Sequence, residues 1–363
     1  MLSTLASLTD RGANRFGLLR LLLALGVVLS HAATIGGLGS ERLTAATTET
    51  WGRLSVYGFF VLSGFLVAHS YERGGLFRYV WHRALRIWPG FLVALAVVGF
   101  GFVAVERAAR GASFDGHAAA AWRFVAQNAG VRVRAFGVDG TLVDVPYPSI
   151  WIGSCWSLIH ECKGYALVAG LGLLSLLRRG PWPPTIVFVA ALAAHVVELR
   201  APGAVQQRAP FHIDPPLFAL LPWFFAGVAA WSWRERVPRS PTLAWAALAA
   251  SALALFAAPA LFPVLAVVPL SYALLVAAGG ARGRGVGARW DLSYGVFLYG
   301  FPVQQLLAVA GAQRLGYIAF AALSVAATLP FAAFSWRCVE APSLRAKNWR
   351  PWARGVRDGG SPA

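Results

Sequence analysis

The sequence predicts an all-α integral membrane protein of about ten transmembrane helices with the N-terminus and C-terminus both cytoplasmic, and three observations carry that expectation. Of 363 residues, 58% are hydrophobic and 13% charged, whereas soluble domains run at about 25% charged. Apolar stretches recur at 17–37, 54–71, 87–105, 154–177, 184–199, 216–233, 242–258, 260–278, 291–310 and 316–336, most of them near the roughly 20 residues that cross a bilayer as a helix. The segments between them alternate in basic content. With the N-terminus inside, the inner segments hold Arg11, Arg15 and Arg20; Arg73, Arg78, Arg83 and Arg86; Arg178 and Arg179; Arg234, Arg236 and Arg239; Arg282, Arg284 and Arg289; and Arg337, Arg345, Lys347, Arg350, Arg354 and Arg357. That is 21 of the 32 basic residues, the bias that places basic loops in the cytoplasm. The net charge of +17 thus marks sidedness, and no nucleic-acid partner is expected.

The run after Arg15 is longer than the apolar core of a secretory signal and lacks a small-x-small cleavage site, so it reads as a retained first helix. Residues 1–337 form the membrane domain, with one long outer loop at 106–153, and residues 338–363 form a basic tail. The loop alternates polar and apolar residues in GVRVRAFGVDGTLVDVPYPSIWIG, which predicts short strands or a cap over the helices. Cys155 and Cys162 lie about 10 Å apart along one predicted helix, too far to bridge, and no disulfide is expected.

Chemistry concentrates at a few polar residues inside the apolar stretches. Arg20 and His31 are eleven residues apart in the first helix, which brings them within about 20° of one face and about 16 Å apart along the axis. Gly17, Ala24 and Val27 complete that face and leave room beside it. An ionisable group at membrane depth costs about 2.5–3.5 kcal/mol on insertion scales, so this face is expected to line a site. Arg83 and Arg86 are neighbours on a later helix with few acids close in sequence. Their forks suit phosphate oxygens; the alternative is that they follow the cytoplasmic arginine bias and reach lipid phosphates. Glu161, counted about 10 Å inward from Ser154, comes to the same depth as His31, about 9 Å from the outer face. A carboxylate and an imidazole at one level can serve as orienting group and general base. The competing reading is a buried ion pair of Glu161 with Lys163 or an arginine.

Ser63 and Gly64 interrupt an aromatic run and read as small residues that let helices pack closely. Asp291, Ser293, Tyr294 and the pair Gln304 and Gln305 line a cavity or bond between helices, and Trp156, Ser157, His160 and Tyr294 are candidates for an acceptor or cavity lining. The remaining histidines show no metal-ligand spacing, so no metal is expected.

Taken together, Arg20-x10-His31, FFVLSGF at 59–65, Arg83-x-x-Arg86, CWSLIHE at 155–161, LSYGVFLYGFPV at 292–303 and VEAP at 339–342 resemble, in content and order, the acyltransferase-3 family of bacterial integral-membrane O-acyltransferases. The resemblance implies a ten-helix, multi-pass protein of the bacterial inner membrane. It would move an acyl group, most often acetyl, from cytoplasmic acyl-CoA to a hydroxyl of a carbohydrate or glycosylated acceptor, with acyl-CoA as donor substrate and no permanently bound cofactor. It implies His31 as the catalytic histidine, acting as general base or acyl carrier, Glu161 as the motif acid, and Arg20, Arg83 and Arg86 as acyl-CoA contacts. The chain departs from the family at Ile159, where proline is frequent, at His160, where a small or apolar residue is usual, and at Gly300, where many members carry histidine. A transporter or flippase of a sugar-linked substrate is the rival class, against which stands the lack of an inverted repeat.

Overall fold

Apolar chain in a bilayer satisfies its backbone polar groups internally, and the helix does so within one segment. In the computed structural model, which describes residues 3–9, 14–39, 41–205, 214–279 and 290–348, helices occupy all ten of the expected stretches. Helix α1 spans Phe16–Ile35 and α2 spans Trp51–Ala96. The Thr50 hydroxyl caps α2 by accepting the Arg53 N–H at 3.1 Å. Helix α2 joins two expected spans and turns at Gly75, whose φ of 67° is open to glycine and strained for other residues. It continues through a π-helical turn, Val97–Phe102, into α3, Val103–Ala109. Then come α4 (Ala118–Asn128), α5 (Leu158–Leu173), α6 (Trp182–Arg200), α7 (Pro215–Ser232), α8 (Pro241–Ala257), α9 (Val267–Ala278), α10 (Ser293–Val309), α11 (Tyr317–Ser335) and α12 (Ala341–Arg345). Among the described residues, five helical stretches are long and apolar enough to cross a membrane: Phe16–Ile35, Trp51–Ala109, Trp182–Arg200, Pro215–Ser232 and Tyr317–Arg345. The basic positions Arg11, Arg282, Arg284, Arg289, Arg350, Arg354 and Arg357, together with His212 and the tail from 349, lie outside the described residues.

Helices in lipid gain from one another chiefly by close packing. Helices α2 and α7 meet through reciprocal glycines, since a Cβ on Gly64 would sit 1.9 Å from the Phe224 carbonyl oxygen and one on Gly227 2.1 Å from that of Val61. This bears out the packing role expected of the small pair at 63–64 for Gly64. Helices α1 and α2 run antiparallel, with Gly26 on Ser55 and Gly52 on Ser30. Helices α1 and α10 run parallel: Gly300 packs on Val28, and the Gln304 side-chain amide donates to the Val28 carbonyl at 2.8 Å. These registers fix the height of every site residue.

Of the two forms expected of the outer loop, short strands or a cap, no strands form among the described residues, and the loop is tied onto the helices, with Gln305 bonded to the Tyr147 and Ile150 carbonyls. The loop's apolar residues Val131, Val138, Leu142 and Val145 are buried at uneven spacing, and no neighbouring strand is present among the described residues to complete a ladder. Helix α4 folds back along the π turn, with Gly99 against Phe124 and the Trp88 indole donating to the Ala129 carbonyl at 2.7 Å. The loop is pinned where the fully buried Glu106 meets Arg110 and where the Trp151 indole donates to the Thr141 hydroxyl at 2.9 Å.

Candidate active site

The turn at Gly75 lays the arginines of α2 against the starts of α1, α5 and α10. Between them opens a cavity of about 690 Å³, lined by Arg20, Arg73, Arg78, Arg83, Arg86 and Lys347, by Glu161 and Asp291, and by Ser63, His69, Tyr165 and Tyr294 among others. Asp291, just ahead of α10, is its hub. One oxygen accepts from Arg86 at 2.7 Å and from Arg20 at 3.4 Å, and the other accepts from the Ser293 hydroxyl at 2.6 Å. Two guanidiniums and a hydroxyl thus converge on one carboxylate. Arg86 also reaches Glu340 at 3.6 Å and lies 5.6 Å from the centre of the Tyr294 ring. Glu340 comes from a π turn, Trp336–Glu340, that carries the VEAP motif inward.

The two arginines of the Arg83-x-x-Arg86 pair therefore differ. The expected shortage of acids beside them does not hold for Arg86, because Asp291 and Glu340 arrive from distant parts of the chain. Arg83 makes no ion pair among the described residues; it lies 5.6 Å from the Tyr165 ring centre, and its Nε is buried without a hydrogen-bond partner. Residues 346–347 fold over the cavity, with the Trp81 indole donating to the Ala346 carbonyl at 3.1 Å and a His82 ring nitrogen 3.4 Å from the Lys347 carbonyl oxygen. Burial, with Arg83 and Arg86 close by, lowers the Lys347 ammonium from its ordinary value.

Glu161 stands in this cavity. Its carboxylate accepts from the Ser63 hydroxyl and from the Tyr165 hydroxyl, the latter at 2.5 Å. Lys163, the expected alternative partner, pairs with Asp214 instead. The structure does not bring Glu161 to His31. The depth estimate placed Ser154 at the outer face, whereas the loop carries it into the bundle, where its hydroxyl donates to the carbonyl of Phe297, four residues into α10, at 3.0 Å. Helix α5 starts there and descends, so Glu161 arrives level with Arg20, about 16 Å below His31. Ser63, read from sequence as packing, is a site residue that the reading missed; the signal was a hydroxyl one position before the packing glycine.

At the other end of α1, His31 lies edge-on to Phe301, with ring centres 5.1 Å apart. Arg20 reaches Asp291 and His31 reaches Phe301, so the shared face predicted from their spacing is the face turned to α10. Neither ring nitrogen of His31 makes a hydrogen bond among the described residues. Phe301 also meets Tyr147, at 6.0 Å between ring centres, and the Gln305 amide donates to the Tyr147 and Ile150 carbonyls at 2.7 Å each. The outer loop is thereby tied beside the histidine. Gly300 fits there because a Cβ would sit 2.5 Å from Val28 Cγ2, so a histidine at this place would need the Val28 side chain or α1 to shift.

The four candidate acceptor residues do not converge. Tyr294 belongs to the arginine-lined cavity, its hydroxyl donating to the Ile87 carbonyl at 2.8 Å. Trp156 lines a separate cavity of about 300 Å³ with Arg53, Tyr57 and Leu220, near the outer start of α2. His160 stacks edge-on to Trp156, with ring centres 5.8 Å apart, and Ser157 is buried.

Comparison with known proteins adds chemistry to this geometry. A family model described as an acyltransferase domain matches residues 14–337. A protein of Shigella phage Sf6 named O-acetyl transferase is 25% identical over 338 residues, which cover 90% of this chain and 95% of the relative. No solved structure matches.

Proposed function

Since the chain belongs to the acyltransferase-3 family, whose model spans residues 14–337, we propose that this membrane acyltransferase moves an acetyl group from cytoplasmic acyl-CoA to a hydroxyl of a carbohydrate or glycosylated acceptor. The observation that supports the donor half is the cavity itself: six basic side chains around two carboxylates, at the end of the bundle where arginine is densest. Phosphates of CoA dock on Arg83, which has no carboxylate partner among the described residues, and on the exposed ends of the neighbouring basic residues. Arg86 and Arg20, neutralised by Asp291, hold the wall and position that site. Glu161, fixed by Ser63 and Tyr165, offers an acceptor for the amide N–H groups of the pantetheine arm.

The arm then has about 16 Å to cover along α1 before the thioester reaches His31. There the imidazole takes the acceptor hydroxyl proton as the oxygen bonds to the thioester carbon; the carbon–sulfur bond breaks and the proton passes to the departing thiolate. The free ring nitrogens of His31 also fit the second course, in which the imidazole is acylated and hands the group on. Tyr147 and the tied outer loop supply aromatic and polar surface for the acceptor beside the histidine.

The test uses purified protein in bilayer nanodiscs with radiolabelled acetyl-CoA. Loss of thioester by the wild type, absent from His31→Ala, supports transfer through His31, and label retained on the wild type alone supports the acylated course. Failure to bind CoA at all overturns the donor assignment.

A further inference from the structure

Arg83 lines two cavities. Besides the polar one, it borders an apolar cleft of about 330 Å³ between α2 and α5, with Ala84 and Trp88 on one wall, Cys162, Ala166 and Ala169 on the other, and Val131 at the far end. Arg83, Ile87 and Tyr165 belong to both linings, so a single layer of side chains separates the cavities. The α2 wall faces outward, Val80 being 52% and Trp88 48% exposed, and in a chain embedded in lipid that exposure is to the bilayer. The α5 wall from Ile159 to Ala169 runs about 15 Å, half of a roughly 30 Å hydrocarbon core and so the depth of one leaflet. The cleft is therefore an apolar slot of leaflet depth with one cation midway along its wall, 5.6 Å from the Tyr165 ring centre. That cation has no ion-pair partner among the described residues, and its Nε is buried without an acceptor, whereas Arg86 one turn away is paired with both Asp291 and Glu340.

We propose that this cleft is a lateral lipid site, taking a hydrocarbon chain of a phosphate-bearing lipid from the arginine-rich leaflet with its phosphate on Arg83. Charge complementarity selects the occupant. In the absence of CoA, whose phosphates would compete for Arg83, a neutral chain leaves the guanidinium without an anion, and an acetyl donor has no chain to fill the slot. A phosphate joined to a long chain satisfies both walls at once.

The site is tested by photo-crosslinking in nanodiscs that contain phosphatidylglycerol or phosphatidylcholine carrying the same diazirine-labelled chain, with adducts mapped by mass spectrometry. Adducts are expected to concentrate on 159–169 of α5 and on Trp88, several-fold more with the anionic lipid. Ala166→Trp should remove them while leaving adducts on the lipid-facing Leu253 of α8, 68% exposed, unchanged. Ala84→Leu, from the opposite wall, should reproduce the loss, and Arg83→Gln should abolish the anionic preference. Adducts on α5 no denser than at Leu253, or equal for both lipids, would overturn the site as no more than annular lipid. Stronger labelling by a long-chain acyl-CoA probe would overturn the assignment in favour of a donor acyl chain. None of these readouts requires acyl transfer, so their failure is separate from failure of the proposed reaction.

Discussion

At one end of α1, Arg20 is held by Asp291 in a network that also contains Arg86 and Glu340, while eleven residues on, His31 meets the edge of Phe301 and keeps its ring nitrogens free. The first end is charged, ion-paired and open to a large cavity; the second is neutral, aromatic and roofed by the loop tied to Gln305. Preorganised ion pairs suit a site that must grip a polyanion in one place, because partners already fixed need no further ordering. A ring without a fixed partner suits a site that must exchange a proton. On this account α1 separates donor recognition from chemistry by its own length.

The comparison breaks most readily at His31. His31→Ala should cut transfer by about 10²–10⁴-fold, the range of general-base contributions, with CoA affinity unchanged; steady-state rates and equilibrium binding on one preparation check both halves. Arg86→Ala should act on stability instead. It leaves the carboxylates of Asp291 and Glu340 facing each other in a buried wall, and removal of one partner from such a pair costs about 3–5 kcal/mol. A thermal melt well below wild type is expected, with Arg86→Ala/Asp291→Asn recovering part of the loss. Arg83→Gln, which breaks no ion pair among the described residues, should leave the melt near wild type. It should weaken CoA binding roughly 10–100-fold, the worth of one charge-assisted contact of about 1.5–3 kcal/mol.

The smallest effect lies on the outer side, in the connection between α1 and α2. Burial raises the Glu41 carboxyl to about 7, against a smaller lowering by its hydrogen bond with Ser30. A carboxyl raised above its unfolded value contributes stability that is full below about pH 4.5 and is lost as pH rises through about 7. Protection factors of the amides in residues 41–50, with the intrinsic rise of exchange with pH divided out, should therefore fall from about pH 5 to 7 in the wild type and stay flat in Glu41→Gln.

Much of this was legible in the sequence because helical periodicity is local. The shared face of Arg20 and His31, the helices at all ten apolar stretches, and the close packing at Gly64 follow from spacing and residue size alone. What was not legible was long-range. Asp291 and Glu340 lie about 200 residues or more beyond Arg86, and only the registers of α10 and the π turn at 336–340 bring them to it. The level of Glu161 went wrong for a related reason: depth counted along α5 assumes a start at the membrane surface, and the loop carries Ser154 into the bundle first. The alternation in the outer loop left strands and a cap both open, because apolar residues need only something to pack on, whereas a strand needs a partner for its backbone.

The division of labour along α1 is tested most directly by measuring CoA dissociation constants and initial acetyl-transfer rates on the same nanodisc preparations of wild type, His31→Ala and Arg83→Gln. The account predicts that His31→Ala binds CoA within about twofold of wild type while transfer collapses, and that Arg83→Gln binds weakly yet transfers near the wild-type rate once CoA is saturating. Equal loss of CoA binding in His31→Ala, or retained transfer in that variant, would contradict it.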